Sequence, residues 1–417
     1  MGFLGMLLLL SPNISSTFTY YYCMVPYVFS YFLGICTCWL IIKNGNKWII
    51  IIGGILIAIQ CSLYQAYVSV TIVVALLYLI FVCFTDTKLE KILARMLSFF
   101  SSGLIGIGIY LVLLKIMRIE LVSSRGFDKM GSIDINKLPL LFGKSYAAAY
   151  DYFFGNSLLN NSWLHRDFLN LIIILLLVGM CAYLLVKRKI YQHIWRMLLI
   201  FFFIILLPVG LEIMVIAAPD VDTFGTTGIL LVPAMSLIYM SIIFFQAMIT
   251  EHFDGGGGIR VKSFSYAVAV IPVIWNLLLF TAAFENVMWL NYQRTYSLCE
   301  KISNRIEQCT DGCEGDIKIM ITGNPEHGNY PYVHEELRDI VKGSLAVKGL
   351  VWEGGWLSNV CYQDIFRNYL NLDYQILTAE EYNAMIESKD LELMGIFPAH
   401  DSVKQVNGVI VIKLSND

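Results

Sequence analysis

The chain has 417 residues, 57% of them hydrophobic and only 15% charged, with a net charge of −3 and a mean hydropathy of +0.66. Soluble globular chains carry roughly 25% charged residues, so this composition excludes a disordered tail, a disulfide-rich secreted miniprotein and an ordinary cytosolic enzyme. The small net charge gives no reason to expect a nucleic-acid partner.

In chain order, residues 1–10 are apolar but too short to span a bilayer, and Ser11, Pro12 and Asn13 stop the run. No basic stretch precedes it and no small-residue cleavage site follows, so it does not read as a signal peptide. It reads as the last half of a span whose beginning is missing. A helix needs about 20 apolar residues to cross a hydrocarbon core of roughly 30 Å. On that measure the spans are 17–42, 47–62, 65–84, 99–118, 167–186, 195–218, 227–247 and 264–284. The run 48–84 is too long for one crossing, and its polar punctuation at 60–65 predicts the turn. Leu89, Ile92, Leu93 and Met96 recur at helical spacing in 88–96, which reads either as an interfacial helix or as an ordinary loop helix.

Orientation follows from short basic loops. Lys43 and Lys47, then Lys88, Lys91 and Arg95, then Lys187, Arg188, Lys189 and Arg196, then Arg260 and Lys262 all fall on one side of this arrangement, the cytoplasmic one. The opposite side holds the turn at Tyr64 and Gln65, the long loop 119–166, the acidic turn 219–222 and the C-terminal region. The expected fold is therefore a polytopic α-helical membrane protein of about eight spans in residues 1–285. An extracytoplasmic α/β or α+β domain follows in 286–417.

In that domain, 316–322 and 408–414 read as strands, and 335–341 and 380–387 as helix starts. Gly323 follows the first strand as in phosphate loops, but a single glycine makes no dinucleotide fingerprint or P-loop. Of the 10 cysteines, those in the spans read as small apolar fillers. Outside the cell a disulfide from Cys309 or Cys313 to Cys361 is allowed, whereas the spacing matches no zinc finger.

Charged and polar groups within or at the ends of spans point to function, because lipid burial of a charge costs several kcal/mol. Glu212 follows Pro208 and Gly210 near the outer end of its span, and reads as a catalytic acid or as an interfacial carboxylate. Asp220 and Asp222 form a pair that would suit a base or a divalent cation, the one cofactor the sequence suggests, or simply a negative outer turn. Lys115 and Arg118 close a span on the outer side, where a phosphate ligand or plain snorkelling would explain them. Tyr64 and Gln65 either pair within the bundle or touch a sugar or lipid phosphate; Arg166 heads a span, as an anchor or as another phosphate contact. The aromatic residues of 144–154 suit an interface belt or carbohydrate stacking.

Several segments together resemble the bacterial GtrII-type glucosyltransferases, membrane enzymes related to the GT-C glycosyltransferases. They are CSLYQAY at 61–67, SRGFDKMG at 124–131, YSLCEKISNRIE at 296–307, KIMITG at 318–323, FPAHDS at 397–402 and GVIVIK at 408–413. The resemblance covers most of the chain and rests on order and spacing rather than on one specific motif. It implies transfer of a sugar, usually glucose, from a polyprenyl-phosphate carrier to a cell-surface polysaccharide on the outer face of the bacterial plasma membrane. It also implies a catalytic carboxylate in a first outer loop between the first two spans. Against the family the chain reads as lacking those N-terminal spans, so that carboxylate maps to no residue here. A lipid-linked-sugar flippase is the competing reading, but no internal repeat supports it and the suspect polar groups gather near one face. A non-catalytic, shortened scaffold is the third.

Overall fold

The computed structural model describes residues 12–17, 24–43, 46–85, 88–118, 135–154, 166–218, 233–250, 259–310, 317–323 and 355–416. They divide into two compact units, with the boundary between Phe284 and Glu285.

The first unit is helical. Its elements are α1 (Pro12–Thr17), α2 (Met24–Lys43), α3 (Lys47–Leu63), α4 (Val68–Thr85), α5 (Leu89–Met117), α6 (Leu138–Phe154), α7 (Arg166–Lys187), α8 (Ile194–Leu211), α9 (Ile213–Ala217), α10 (Met235–Thr250) and the start of α11 (Ile259–Thr310). Among the described residues, five helices are long and apolar enough to cross a membrane: Met24–Lys43, Gln65–Thr85, Leu89–Met117, Asp167–Lys187 and Ile194–Leu211. Three shorter apolar helices, Lys47–Leu63, Met235–Thr250 and Ser265–Leu279, occupy the other three expected spans.

The polar punctuation does turn the chain between α3 and α4, but later than its first residue. Gln60 stays helical and buried; the backbone opens only at Tyr64, whose φ is −164° and ψ 114°. The reason is that the Gln60 amide finds partners inside the bundle and has no need of water. The stretch 88–96 is not a separate interfacial helix either. It is the first turns of α5, which runs unbroken to Met117. The long loop contains α6, whose buried Leu141, Ser145, Ala148, Ala149 and Tyr152 recur every three or four residues. Three of those five residues are Ser or Ala, so their hydropathy is too low to stand out.

Close packing of α3 on α5 needs glycine. A Cβ on Gly54 would stand 2.5 Å from Ile105 Cγ2, and one on Gly106 would stand 2.6 Å from Ile57 Cβ. Small residues at a helix crossing let two apolar backbones approach where the hydrophobic effect offers little.

The basic loops come to one end of this unit. Arg95 Nη1, on α5, donates to the carbonyl of Ile41 near the end of α2 at 2.8 Å. Arg196, on α8, donates Nε and Nη2 to the Cys83 carbonyl at 2.9 and 2.7 Å, and Arg188 Nη1 donates to Phe84 at 3.1 Å, both acceptors lying in the last turn of α4. The last carbonyls of a helix have no intrahelical donor and carry its negative dipole end, so guanidinium groups cap them well. Phe245, near the end of α10, packs edge-on against Phe84 at 6.0 Å and brings the end of α10 there too.

The second unit holds a four-stranded sheet of order β2-β1-β4-β3: β1 (Lys318–Thr322), β2 (Gln375–Ile376), β3 (Val403–Val406) and β4 (Val409–Lys413). Strand β1 is parallel to β2 and β4, while β3 and β4 form an antiparallel hairpin. Its turn is Asn407-Gly408, with φ of 50° and 80°, the pairing that suits a two-residue hairpin turn. The later part of α11, with buried Leu298, Cys299, Ile302 and Ile306, and helices α12 (Trp356–Leu370), α13 (Ala379–Ile386) and α14 (Lys389–Glu392) complete it. Because β2 pairs only with Lys318 and Ile319, the side chain of Asn359 on α12 takes over further along. It accepts from the Ile321 N–H at 2.6 Å and donates to the Ile321 carbonyl at 2.8 Å. The helix expected at 335–341 lies outside the described residues. Cys309 is a free thiol whose Sγ meets the Val403 carbonyl at 3.6 Å, so it is not bridged to Cys361; Cys313 lies outside the described residues. Gly323 is no phosphate cradle. A Cβ there would collide with the backbone of Ser415, which explains a glycine at φ +84°.

Candidate functional site

The basic residues mark one end of the helical unit, and most of the suspected site residues mark the other. Helix α8 begins at the basic end through Arg196 and runs to Leu211, where the chain breaks at Glu212 with φ −105° and ψ 37°. Two features locate the break. Pro208 has no N–H to give the helix. Gly210 lets α8 press against the early part of α4, since a Cβ there would lie 2.9 Å from Ile72 Cγ2. The break carries Glu212 into the protein. It is only 3% exposed, and its Oε2 has no hydrogen-bond partner among the described residues. Buried polar atoms are nearly always paired, so an orphan carboxylate oxygen calls for a missing ligand or a catalytic use.

Tyr64 and Gln65 form the turn at the same end. Gln65 Nε2 donates to the Tyr110 hydroxyl at 2.6 Å, tying the turn to the last third of α5. Tyr64 lies against Tyr27 at 4.5 Å and Tyr67 at 5.6 Å. Both residues therefore pair within the bundle. Lys115 and Arg118 close α5 a turn or two beyond Tyr110. They are exposed, and Arg118 is left-handed at φ 50°. Neither side chain has a partner among the described residues, which leaves two cations at a helix C-terminus next to the Tyr64–Gln65 turn. Arg166 is the first residue of α7, whose other end carries Lys187 and Arg188 at the basic pole, so its backbone stands at this end as well. Asp220 and Asp222 lie outside the described residues. No cluster of three or more His, Cys, Asp or Glu side chains that could hold a metal occurs among the described residues.

Two buried polar nodes escape the sequence reading. Asn170 on α7 accepts at Oδ1 from the Tyr239 hydroxyl at 2.9 Å and from the Asn276 amide, and donates to the Phe153 carbonyl. This joins α6, α7, α10 and α11 through residues that are at most 2% exposed on α7, α10 and α11. Gln60 donates to the carbonyls of Ser30 at 3.1 Å and Tyr67 at 2.9 Å and accepts from Thr71 Oγ1 at 2.8 Å, joining α2, α3 and α4. The signal was present as lone amides inside apolar runs. Within a bilayer such groups must find partners on neighbouring helices.

The profile of the glucosyl transferase GtrII family matches residues 1–235. That is more than half of the 417 residues and takes in α1 to α9 with Glu212. The chain belongs to the glucosyl transferase GtrII family. Membership makes it a transferase with a donor and an acceptor, glucosyl transfer being the reaction in the family's description. With its apolar helices it is a membrane protein. No curated protein and no solved structure matches the chain.

Proposed function

We propose that the chain transfers glucose from a polyprenyl-phosphate donor to a cell-surface polysaccharide at the outer face of the bacterial plasma membrane. The observation that carries this reading is the buried Glu212, whose carboxylate oxygen Oε2 has no hydrogen-bond partner among the described residues, within the family-matched region and at the pole away from the basic loops. Positive loops stay in the cytoplasm, so that pole faces out. The five long and three shorter apolar helices then make eight crossings, and the C-terminal α/β unit follows the last of them on the outer side.

The chemistry asks for little more. The acceptor hydroxyl attacks the anomeric carbon, and the bond from that carbon to the phosphate oxygen breaks. The electron pair leaves with the polyprenyl phosphate, and the acceptor proton passes to the carboxylate of Glu212. Lys115 and Arg118, with Arg166 at the head of α7, offset the charge gathering on the leaving phosphate. Tyr64 and Gln65 hold the turn beside them. Asp220 and Asp222, eight and ten residues after Glu212 in sequence, are the further acids of this proposal, suited by residue type to a second proton acceptor or a divalent cation.

The test is transfer of labelled glucose from polyprenyl-phosphate glucose to polysaccharide in membranes carrying the protein. Incorporation above membranes lacking it is the expected result; none, with donor and acceptor both supplied, ends the reading.

A further inference from the structure

A cleft of about 470 Å³ opens at the basic pole, between the end of α4 and the start of α5. Tyr78, Phe81 and Val82 supply its α4 wall, and Lys91, Ala94 and Arg95 line it from α5. Among the described residues, none of those lining it is acidic. Lys91 and Arg95 are four apart and so share one face of α5. Lys91 is exposed and Arg95 half-buried. One guanidinium nitrogen of Arg95 is spent on the Ile41 carbonyl, and its remaining donors have no partner among the described residues.

The length of α5 sets the depth of this cleft. Its charge-free stretch, 96–114, is about 28 Å long at 1.5 Å per residue, which matches the roughly 30 Å hydrocarbon core. Lys91 and Arg95 then stand just outside the core, at headgroup level, and the aromatic wall of α4 faces the first part of the acyl region. Cations at headgroup depth beside an apolar wall complement one kind of molecule in a bilayer.

We infer that the α4–α5 cleft is a binding site for an anionic phospholipid of the leaflet at the basic pole, its phosphate held by Lys91 and Arg95 and its chain laid along Tyr78, Phe81 and Val82. This site is separate from the one around Glu212 and does not rest on the proposed transfer reaction.

Native mass spectrometry of the detergent-purified full chain tests it, with titration of phosphatidylglycerol, of phosphatidylethanolamine and of inorganic phosphate. Phosphatidylglycerol is expected to bind at least several-fold more tightly than phosphatidylethanolamine, and inorganic phosphate not to displace it. Lys91→Gln should weaken phosphatidylglycerol about fivefold, the worth of one cation near an anionic headgroup. Ala94→Trp should fill the cleft and abolish the difference between the lipids, and Lys389→Gln in the second unit should leave binding unchanged. Equal binding of the two lipids overturns the proposal, as does full binding by Ala94→Trp. Displacement by equimolar inorganic phosphate would show a free-anion site instead and also overturns it. Each folded variant is recognised by an unchanged melting profile, and lipid-dependent photolabelling of Tyr78 replaces any variant that fails to fold.

Discussion

Glu212 is unusual because two local rules and one tertiary fact meet in it. Proline and glycine just before it weaken the helix, and packing of Gly210 on α4 turns the broken end inward. A carboxylate oxygen left without a hydrogen bond among the described residues, on a side chain 3% exposed, costs stability, and such a cost persists where function uses it. In the transfer assay Glu212→Gln keeps the shape and removes the proton acceptor, so the rate should fall by about 10²-fold or more with the protein still inserted and folded. A rate within about twofold of the parent would remove Glu212 from the reaction. Gln65 is the contrasting case. Its amide is already used by Tyr110, so it serves to hold the turn in place.

Among the elements, the ends matter most. Helices α2 and α4 end on carbonyls that Arg95, Arg188 and Arg196 satisfy from elsewhere in the bundle, so the basic residues serve packing. In the second unit α13 satisfies its own end. Thr378 Oγ1 accepts from the Glu381 N–H at 3.2 Å while Glu381 Oε2 accepts from the Thr378 N–H at 2.9 Å, a reciprocal capping box. That backbone N–H, ahead of Lys318 nearby, holds the Glu381 carboxyl below its ordinary value of 4.5. A lowered folded value means that the contribution is present above pH 4.5 and is lost as pH falls through the lowered value. Hydrogen exchange of the amides in Ala379–Ile386, corrected for intrinsic rate, should therefore lose protection on acidification below that point. Thr378→Ala should cost about 1 kcal/mol of that protection at neutral pH, and an unchanged exchange pattern would show the cap to be idle.

For the whole molecule the decisive question is which way it sits in the membrane. Cys309 offers a native reporter, being an exposed free thiol in the second unit. With that unit outside, a membrane-impermeant maleimide should label Cys309 in intact cells, and Cys309→Ser should lose that label. Labelling only after the cells are opened would reverse the orientation and with it the face on which Glu212 works.

At this scale the sequence by itself determined the run of apolar helices, the gathering of the basic loops at one pole and the strands β1 and β4. All of these follow from local composition, which registers wherever twenty neighbouring residues share one environment. The hairpin partner β3 went unread in the sequence, although Asn407-Gly408 carries its signal, since only a few residue pairs suit that turn. The tertiary structure alone decided that Glu212 is buried with its Oε2 unpartnered among the described residues, that Asn170, Tyr239 and Asn276 meet across three helices, and that β2 and β4 flank β1. Each of these depends on residues brought together from distant parts of the chain, and the partner of a buried polar group is a property of packing that no local pattern encodes.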